Sequence, residues 1–184
     1  MRDMSVVDYD PRWPKAYESE IAEIRNVLGD VIVRAHHIGS TAVPGLPAKP
    51  LIDILLEVHD LALLDARDGA MRTIGYEPRG ECGIPGRRYY RKGGDARTHH
   101  VHAFGAGDPH VAEHLAFRDY LCAHPGIAED YARIKRAAAT RHRNDPEGYA
   151  AYKRKFVADA VRAACLWAAG VDAEGPAALR VGKQ

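Results

Sequence analysis

Apolar residues near the start of the chain recur every three or four positions, which predicts an amphipathic helix. The residues on its apolar face are Trp13, Tyr17, Ile21, Ile24 and Leu28. Gly29 follows them and is expected to end the helix. An Asp-Pro dipeptide stands at residues 10–11, 108–109 and 145–146. Because aspartate caps free N–H groups and proline has none, we expect a helix to begin at each of these three sites.

The middle of the chain has short, β-branched runs that are typical of strands. Four strands are predicted, at residues 31–38, 51–58, 87–91 and 98–104. A helix is predicted at residues 61–73, and a turn at residues 92–95 is expected to join the last two strands into a hairpin. From Asp108 onward the apolar spacing is helical again. The layout predicts an α/β or α+β fold: a central mixed β-sheet flanked by helices and followed by C-terminal helices.

The length and composition predict a folded protein with its own core. The 184 residues are 46% hydrophobic and 28% charged, which is ordinary for a globular domain. We assign residues 1–169 to a single domain. Residues 170–184 offer little apolar surface to bury, which predicts a flexible tail.

The charge balance and the cysteines narrow the class of protein. Lys and Arg total 26 against 25 Asp and Glu, so the net charge of +1 does not favour broad binding to nucleic acid or to an anionic membrane. No apolar stretch is long enough to span a bilayer, and the N-terminal residues lack the pattern of a signal peptide. The three cysteines are far apart and form no CxxC pair. We therefore expect reduced thiols and a cytoplasmic location.

The stretch HHIGSTAVPGLPAKPLIDILLEV carries the first candidate chemistry. Asp53 lies inside an apolar strand, where a carboxylate is costly unless something pairs with it or coordinates it. Glu57 is on the same side of the strand but near its end, so we expect it to be solvated. Gly39 and Ser40 form a turn that suits phosphate binding, and Lys49 adds a cation nearby. Each of these residues also has a purely structural interpretation, as a turn or as a buried carboxylate bonded to the backbone.

The stretch THHVHAF places His100 and His102 on one strand face. Two imidazoles there could hold one metal ion or act as acid and base, although packing alone would also explain them. His37, just before the Gly-Ser turn, is a further candidate. Arg88 or Arg91, in the preceding strand, could pair with a phosphate, or they could lie on a solvated edge.

Five stretches together resemble the GrpB family: HIGSTAVPGLPAKPLIDILLEV, RRYYRK, THHVHAF, HLAFRDYLCAHPGIAEDYARIKR and YKRKFV. The resemblance runs from about Tyr9 to about Trp167. It implies a nucleotidyltransferase-like fold, and some members of the family resemble a domain fused to dephospho-CoA kinase. In the nucleotidyltransferase superfamily, a Gly-Ser turn precedes an Asp-x-Asp or Asp-x-Glu strand, and a later strand supplies a third acid.

This chain departs from that superfamily pattern. Gly39, Ser40 and Asp53 match it, but Leu55 stands where the second acid belongs, and the strand at residues 98–104 offers histidines instead of the third acid. Two Mg²⁺ ions held by carboxylates are the usual means of nucleotidyl transfer, and imidazole suits Zn, Ni or Fe better. The site therefore uses a different metal, or binds a nucleotide-like ligand without transferring it, or performs a different reaction.

The first hypothesis is nucleotidyl or phosphoryl transfer to an unknown acceptor. Asp53, His100 and His102 would hold a divalent metal (Mg, Mn or Zn) or transfer protons. The residues expected to bind the phosphates of a nucleotide or another small phosphorylated ligand are Gly39, Ser40, Lys49, Arg88 and Arg91. The alternatives are a non-catalytic module that binds a nucleotide or coenzyme phosphate, and a scaffold in which these residues only stabilise the fold. The first two hypotheses require the acid, the turn and the imidazoles to converge on one cavity.

Overall fold

The computed structural model describes residues 4–171 of the chain. Within this span the helices are α1 (Trp13–Leu28), α2 (Leu61–Asp65), α3 (Asp68–Thr73), α4 (Pro109–Ala123), α5 (Pro125–Arg141) and α6 (Pro146–Ala168). The strands are β1 (Ile32–Ile38), β2 (Ile52–Val58), β3 (Tyr76–Pro78), β4 (Arg88–Lys92) and β5 (His99–Gly105). Short 3₁₀ turns span Gly29–Val31 and Ser40–Ala42. Most of the predicted tail at residues 170–184 lies outside the described residues.

The five strands form one mixed sheet in the order β1-β2-β5-β4-β3. The central pair, β2 and β5, is parallel, and the other neighbours are antiparallel. The predicted central mixed sheet with flanking and C-terminal helices is therefore confirmed. Because β2 and β5 are adjacent, residues 47 positions apart in the chain become direct neighbours.

The local predictions hold at most boundaries. Asp108 and Asp145 cap α4 and α6, with their carboxylates accepting backbone N–H groups, as their Asp-Pro dipeptides indicated. The first Asp-Pro site is different: the Asp10 carboxylate accepts the Arg12 N–H, and α1 begins only at Trp13. The predicted helix at residues 61–73 is divided into α2 and α3. Strand β3 was not predicted, since three residues carry too little periodicity to be recognised.

Alternation along β2 divides the sheet into two faces. The core face carries Ile54 and Leu56, which are completely buried in a cluster that also contains Ile24 of α1. The opposite face, here called the cavity face, carries Asp53 and Leu55. Among residues 4–171, no helix combines the length and the apolar composition needed to cross a bilayer.

The C-terminal helices create a wall opposite the cavity face. Helices α4, α5 and α6 share an apolar cluster that includes Val43 and Leu46 from the segment between β1 and β2. That segment is held to the start of β2 by Thr41, whose buried hydroxyl donates to the Leu51 carbonyl at 3.2 Å. A cavity remains between the sheet, this segment and the helices.

Candidate functional site

Asp53, His100 and His102 come together on the cavity face. Asp53 of β2 is in register with His100 of β5, and the next residue on the same side of β5 is His102. The Asp53 Oδ1 atom lies 3.3 Å from His100 Nδ1 and 3.7 Å from His102 Nε2. One donor atom from each residue lies within 4.8 Å of the other two, which is close enough for a single metal ion. The convergence expected for these three residues is therefore present.

The two histidines keep Asp53 ionised. Burial by itself would raise the pKa of this carboxyl, because it disfavours the charged form. Hydrogen bonds and attraction from His100 and His102 act in the opposite direction and together prevail, so the pKa of Asp53 lies well below its usual range. The carboxylate is thus a permanent anion at neutral pH, as a metal ligand must be.

Gly39 packs directly against this carboxylate. Its φ of +71° and ψ of −170° belong to a conformation that is almost confined to glycine. A Cβ atom at this position would lie 2.5 Å from Asp53 Oδ2, which is closer than two atoms in van der Waals contact can approach. The Gly-Ser turn therefore needs glycine for two independent reasons, and one of them is the position of the candidate ligand.

The cavity above this group has a volume of about 370 Å³, in the range of small-molecule sites. Its lining includes Gly39, Ser40 and Lys49, so these three residues of the expected phosphate site share a cavity with Asp53 and both histidines. Further lining comes from the C-terminal helices, including His114 of α4, Lys135 of α5 and Tyr149 and Lys153 of α6.

The residues present fit one metal ion better than a pair of magnesium ions. Leu55, at the position of the second acid, is completely buried in an apolar cluster with Ile38, Phe104 and Val111. One carboxylate and two imidazoles form a donor set that zinc, iron and manganese sites use, whereas Mg²⁺ prefers oxygen ligands. The donor chemistry therefore supports a single ion of the zinc or manganese type.

Two of the expected phosphate-binding residues point elsewhere. Arg88 lies on the core face of β4 and pairs with Asp65 of α2, at 2.6 Å from its Nε atom. Arg91 lies on the cavity face, in register with His100, but its Nε atom is 2.6 Å from Glu77 Oε2 in β3. Neither side chain lines the cavity. The strand alternation was correct, but the partners on β3 and α2 could not be seen in the sequence.

His37 is also separated from the cavity. It is in register with Ile54, which places its ring on the core face, where it stacks on Tyr17 of α1 with ring centres 4.9 Å apart. Its Nε2 atom lies 3.0 Å from Thr41 Oγ1. Burial lowers the pKa of His37 to about 4, so it is a neutral ring that supports the turn from behind.

The expectation that Glu57 is solvated is wrong. The residue is only 3% exposed, and its carboxylate lies 2.8 Å from His36 Nε2 and 3.3 Å from Arg34 Nη1 on β1. Both partners belong to the neighbouring strand, so the sequence of β2 carried no sign of them. Glu57 is a paired structural carboxylate and lies outside the cavity.

The sequence analysis missed several neighbours of Asp53, His100 and His102, the three candidate ligands that are here called the metal group. Arg87 is buried, with Nη1 3.4 Å from His102 Nδ1, and Tyr89 packs its ring within about 5 Å of both imidazoles. His114 lies 5.4 Å from the His102 ring, and burial lowers its pKa to about 4. The alternation of the strand predicted at residues 87–91 does group Arg87 and Tyr89 on one side. Only the pairing of β4 with β5 shows that this side faces the histidines.

Comparison with known proteins gives clear sequence relatives. The family described as "GrpB protein" matches residues 3–163. The UPF0157 protein YqkA of Bacillus subtilis is 41% identical over 169 residues, which cover 92% of this chain and 49% of YqkA. A protein named dephospho-CoA kinase from Mycobacterium leprae is 31% identical over 191 residues, covering 89% of this chain and 47% of the kinase. The chain thus spans about half the length of these two relatives.

Two solved structures resemble the fold. The crystal structure of conserved protein GrpB from Enterococcus faecalis superposes with a TM-score of 0.86, at 37% identity, covering 89% of this chain and 99% of that one. A cytoplasmic RNA terminal U-transferase matches with a TM-score of 0.52 at 9% identity, covering 74% of this chain and 42% of the transferase. The second likeness concerns the fold alone and shows that it resembles the nucleotidyltransferase fold. By the extent of the family match and by these relatives, the chain belongs to the GrpB family.

Proposed function

We propose that the protein transfers a nucleotidyl or phosphoryl group with the help of one divalent metal ion held by Asp53, His100 and His102. The observation that carries this proposal is the placement of the three donor atoms within 4.8 Å of one another on the wall of a cavity. A carboxylate or imidazole in such a place can also have a structural role. Three such donors grouped on the wall of a cavity are typical of a reaction site.

A metal ion bound here would act as a Lewis acid on a phosphoryl oxygen. The protein's own contribution is positioning. Gly39 allows the backbone to approach the ligand, and Ser40 and Lys49 supply a hydroxyl and a cation at the same cavity. Tyr89 packs against both imidazoles and limits their rotation, so that the donor atoms stay directed at Asp53. Arg88 and Arg91 have no part in this arrangement, because each already pairs with a carboxylate outside the cavity.

The experiment is a turnover assay with labelled nucleoside triphosphates, each of Mg²⁺, Mn²⁺ and Zn²⁺, and a panel of acceptors. Dephospho-CoA belongs in the panel, because one relative of about twice the length is named as a kinase of that compound. We expect turnover with Mn²⁺ or Zn²⁺, and its loss in Asp53→Asn. Asp65→Asn is the matched control, since it removes a carboxylate on the far side of the sheet. Absence of turnover with every metal, or equal rates for wild type and Asp53→Asn, would refute the proposal.

A second candidate function is a binding module without catalysis, and Leu55 favours it. The position of the second acid is completely buried among apolar side chains, so the two-metal arrangement of nucleotidyltransferases is incomplete. In this case the cavity would hold a nucleotide or a coenzyme phosphate and leave it unchanged.

Thermal-shift measurements separate the two candidates. A ligand at 100 times its dissociation constant should stabilise the fold by about 2.7 kcal/mol. A clear shift without any turnover supports the binding module, and a shift that accompanies turnover supports the transferase. A flat response across nucleotides and coenzyme A precursors contradicts both.

A further inference from the structure

Lys135 is a buried lysine for which residues 4–171 supply no counterion. It lies on the inner side of α5 and is only 2% exposed, and its Nζ atom has no hydrogen-bond partner among the described residues. The amine lies over the face of Tyr131, whose ring centre is 4.6 Å away. A buried polar group without a partner costs free energy in the empty protein. Such a cost is tolerated where a ligand supplies the missing partner.

Two further lysines reach the same cavity. Lys49, from the segment before β2, lies over the ring of Tyr149 at 4.8 Å, and Lys153 of α6 lies over the same ring at 5.3 Å. All three lysines line the cavity, as does Asp53. The charged groups that act most strongly on Lys135 are cations, namely Lys153, Arg136 and Lys49. Three segments that are distant in sequence therefore converge to make one cationic region, here called the lysine end of the cavity.

The two acids that line the cavity within residues 4–171 form no salt bridge with Lys135 or Lys153. Asp53 is engaged by His100 and His102, and Glu113, which also lines the cavity, is exposed to solvent on α4. Within the part of the chain that the structure describes, no carboxylate forms a salt bridge with Lys135 or Lys153. Burial and the neighbouring cations lower the pKa of Lys135 to about 7, and a bound anion would favour its protonated form. The three lysines would then carry more positive charge than a single phosphate monoester, with about −1.5 to −2 at neutral pH, can match.

We infer that the lysine end, formed by Lys49, Lys135 and Lys153, binds an oligophosphate chain of two or more phosphates, whose reacting phosphate lies at the Asp53 group. The inference deepens the proposed function and rests on it for the identity of the reacting end. The phosphate-binding role that the sequence suggested for Arg88 and Arg91 is thereby assigned to lysines of the C-terminal helices. Inorganic tripolyphosphate and the chain of a nucleoside triphosphate share this chemistry.

The test is calorimetric titration with inorganic tripolyphosphate and with a nucleoside triphosphate, in buffer with EDTA so that no metal contributes. Wild type should bind both probes. Lys135→Met, which keeps an unbranched side chain one atom shorter and removes the charge, should weaken both by at least about tenfold. Lys155→Met is the matched control: Lys155 is on the same helix as Lys153, but it is fully exposed and paired with Asp159. Its affinity should equal that of wild type.

Folding is checked independently of binding. Lys135→Met should retain Zn²⁺ or Mn²⁺ affinity, because the metal group is on the sheet, and Lys153→Met provides a second, half-buried position with the same expected loss of oligophosphate binding. A structural role of Lys135 would lower the melting temperature of the variant and leave the affinity of the folded fraction unchanged.

The outcomes separate this inference from the proposed function. Unchanged affinity in Lys135→Met, or no binding of either probe by wild type, overturns the inference even if metal-dependent turnover is found. Loss of turnover in Asp53→Asn with retained tripolyphosphate binding supports both. If the lysine variants lose affinity for both probes and wild type binds the nucleoside triphosphate more tightly than tripolyphosphate, the oligophosphate ligand of the cavity is a nucleotide. If the lysine variants lose affinity for both probes and wild type binds the two probes equally well, the cavity recognises the oligophosphate itself.

Discussion

The tightest geometrical constraint on the site is the contact between Gly39 and Asp53, and Gly39→Ala tests it. The added methyl group would lie 2.5 Å from Asp53 Oδ2 and 3.1 Å from its Cβ and Cγ atoms. It would also require alanine to adopt a φ of +71°. The contact atom is a carboxylate held by two histidines, so it cannot move without leaving at least one of them.

The expected magnitude has two parts. Holding alanine in this region of φ and ψ costs about 1–3 kcal/mol. Displacing Asp53 weakens its attraction to the imidazole nitrogens, which lie 3.3 and 3.7 Å from Oδ1, and adds about 1 kcal/mol. For a chain of this size, 1 kcal/mol corresponds to about 2–4 °C, so a loss of about 3 kcal/mol lowers the melting temperature by about 6–12 °C. Displacing a metal ligand reduces metal affinity by about 10- to 100-fold, as in changes to residues that support a metal site.

The assay combines thermal unfolding with titration of Zn²⁺ and Mn²⁺. Gly45→Ala is the matched control, because Gly45 also has a positive φ, of +78°, but a Cβ atom there would meet nothing within 4 Å. Both variants should lose stability through backbone strain. Only Gly39→Ala should lose metal affinity.

Equal metal affinity in Gly39→Ala and Gly45→Ala would refute the reasoning, because it would mean that the carboxylate is not held in place by the turn. A variant of Gly39 that loses metal affinity with no loss of stability would also contradict the strain argument.

Three further predictions follow from the contacts. Asp53→Asn should remain folded but lose detectable Zn²⁺ and Mn²⁺ binding by calorimetry, since a neutral amide cannot replace the ionised carboxylate; wild-type affinity in this variant would exclude Asp53 as a ligand. Burial and the neighbouring cations Lys153, Arg136 and Lys49 lower the pKa of Lys135 to about 7, whereas the ordinary value in an unfolded chain is 10.5. Between these two pH values the unfolded state binds more protons than the folded state, so the free energy of unfolding rises with pH. Lys135→Met should therefore be more stable than wild type at pH 7, by about 1–3 kcal/mol in chemical unfolding, and the difference should shrink towards pH 10; a difference independent of pH would contradict the assignment. Arg88→Ala should cost only about 0.2–1 kcal/mol, because its pair with Asp65 is partly exposed, and it should leave oligophosphate affinity unchanged; a large loss of affinity would return Arg88 to the site.

Helix starts that depend only on short-range interactions were predicted correctly from the sequence. Aspartate and proline at residues 108–109 and 145–146 predicted two helix starts, because capping involves only the next three residues. The division of the segment at residues 61–73 into two helices and the short strand β3 depend on packing against α1 and β4, so they were missed.

For the site, strand alternation correctly grouped His100 with His102 and separated Arg88 from Arg91. Lys135 could have been noticed, because it lies four residues after Tyr131 and three before Ala138, on the apolar side of α5. A lysine on such a stripe is either a flexible residue that reaches solvent or a buried cation, and the helix pattern cannot distinguish these.

The sequence by itself determined the order and type of most elements, the glycine-serine turn, the lone acid in an apolar strand and the paired histidines, because these follow from periodicity and backbone preference over a few residues. Only the tertiary structure decided which of these side chains meet. The parallel register of β2 with β5 brings Asp53 to His100, and the packing of α5 and α6 against each other and against α4 brings Lys135 and Lys153 to the same cavity. Such contacts between distant segments depend on how strands and helices pair, and this pairing cannot be recognised from the sequence of either segment alone.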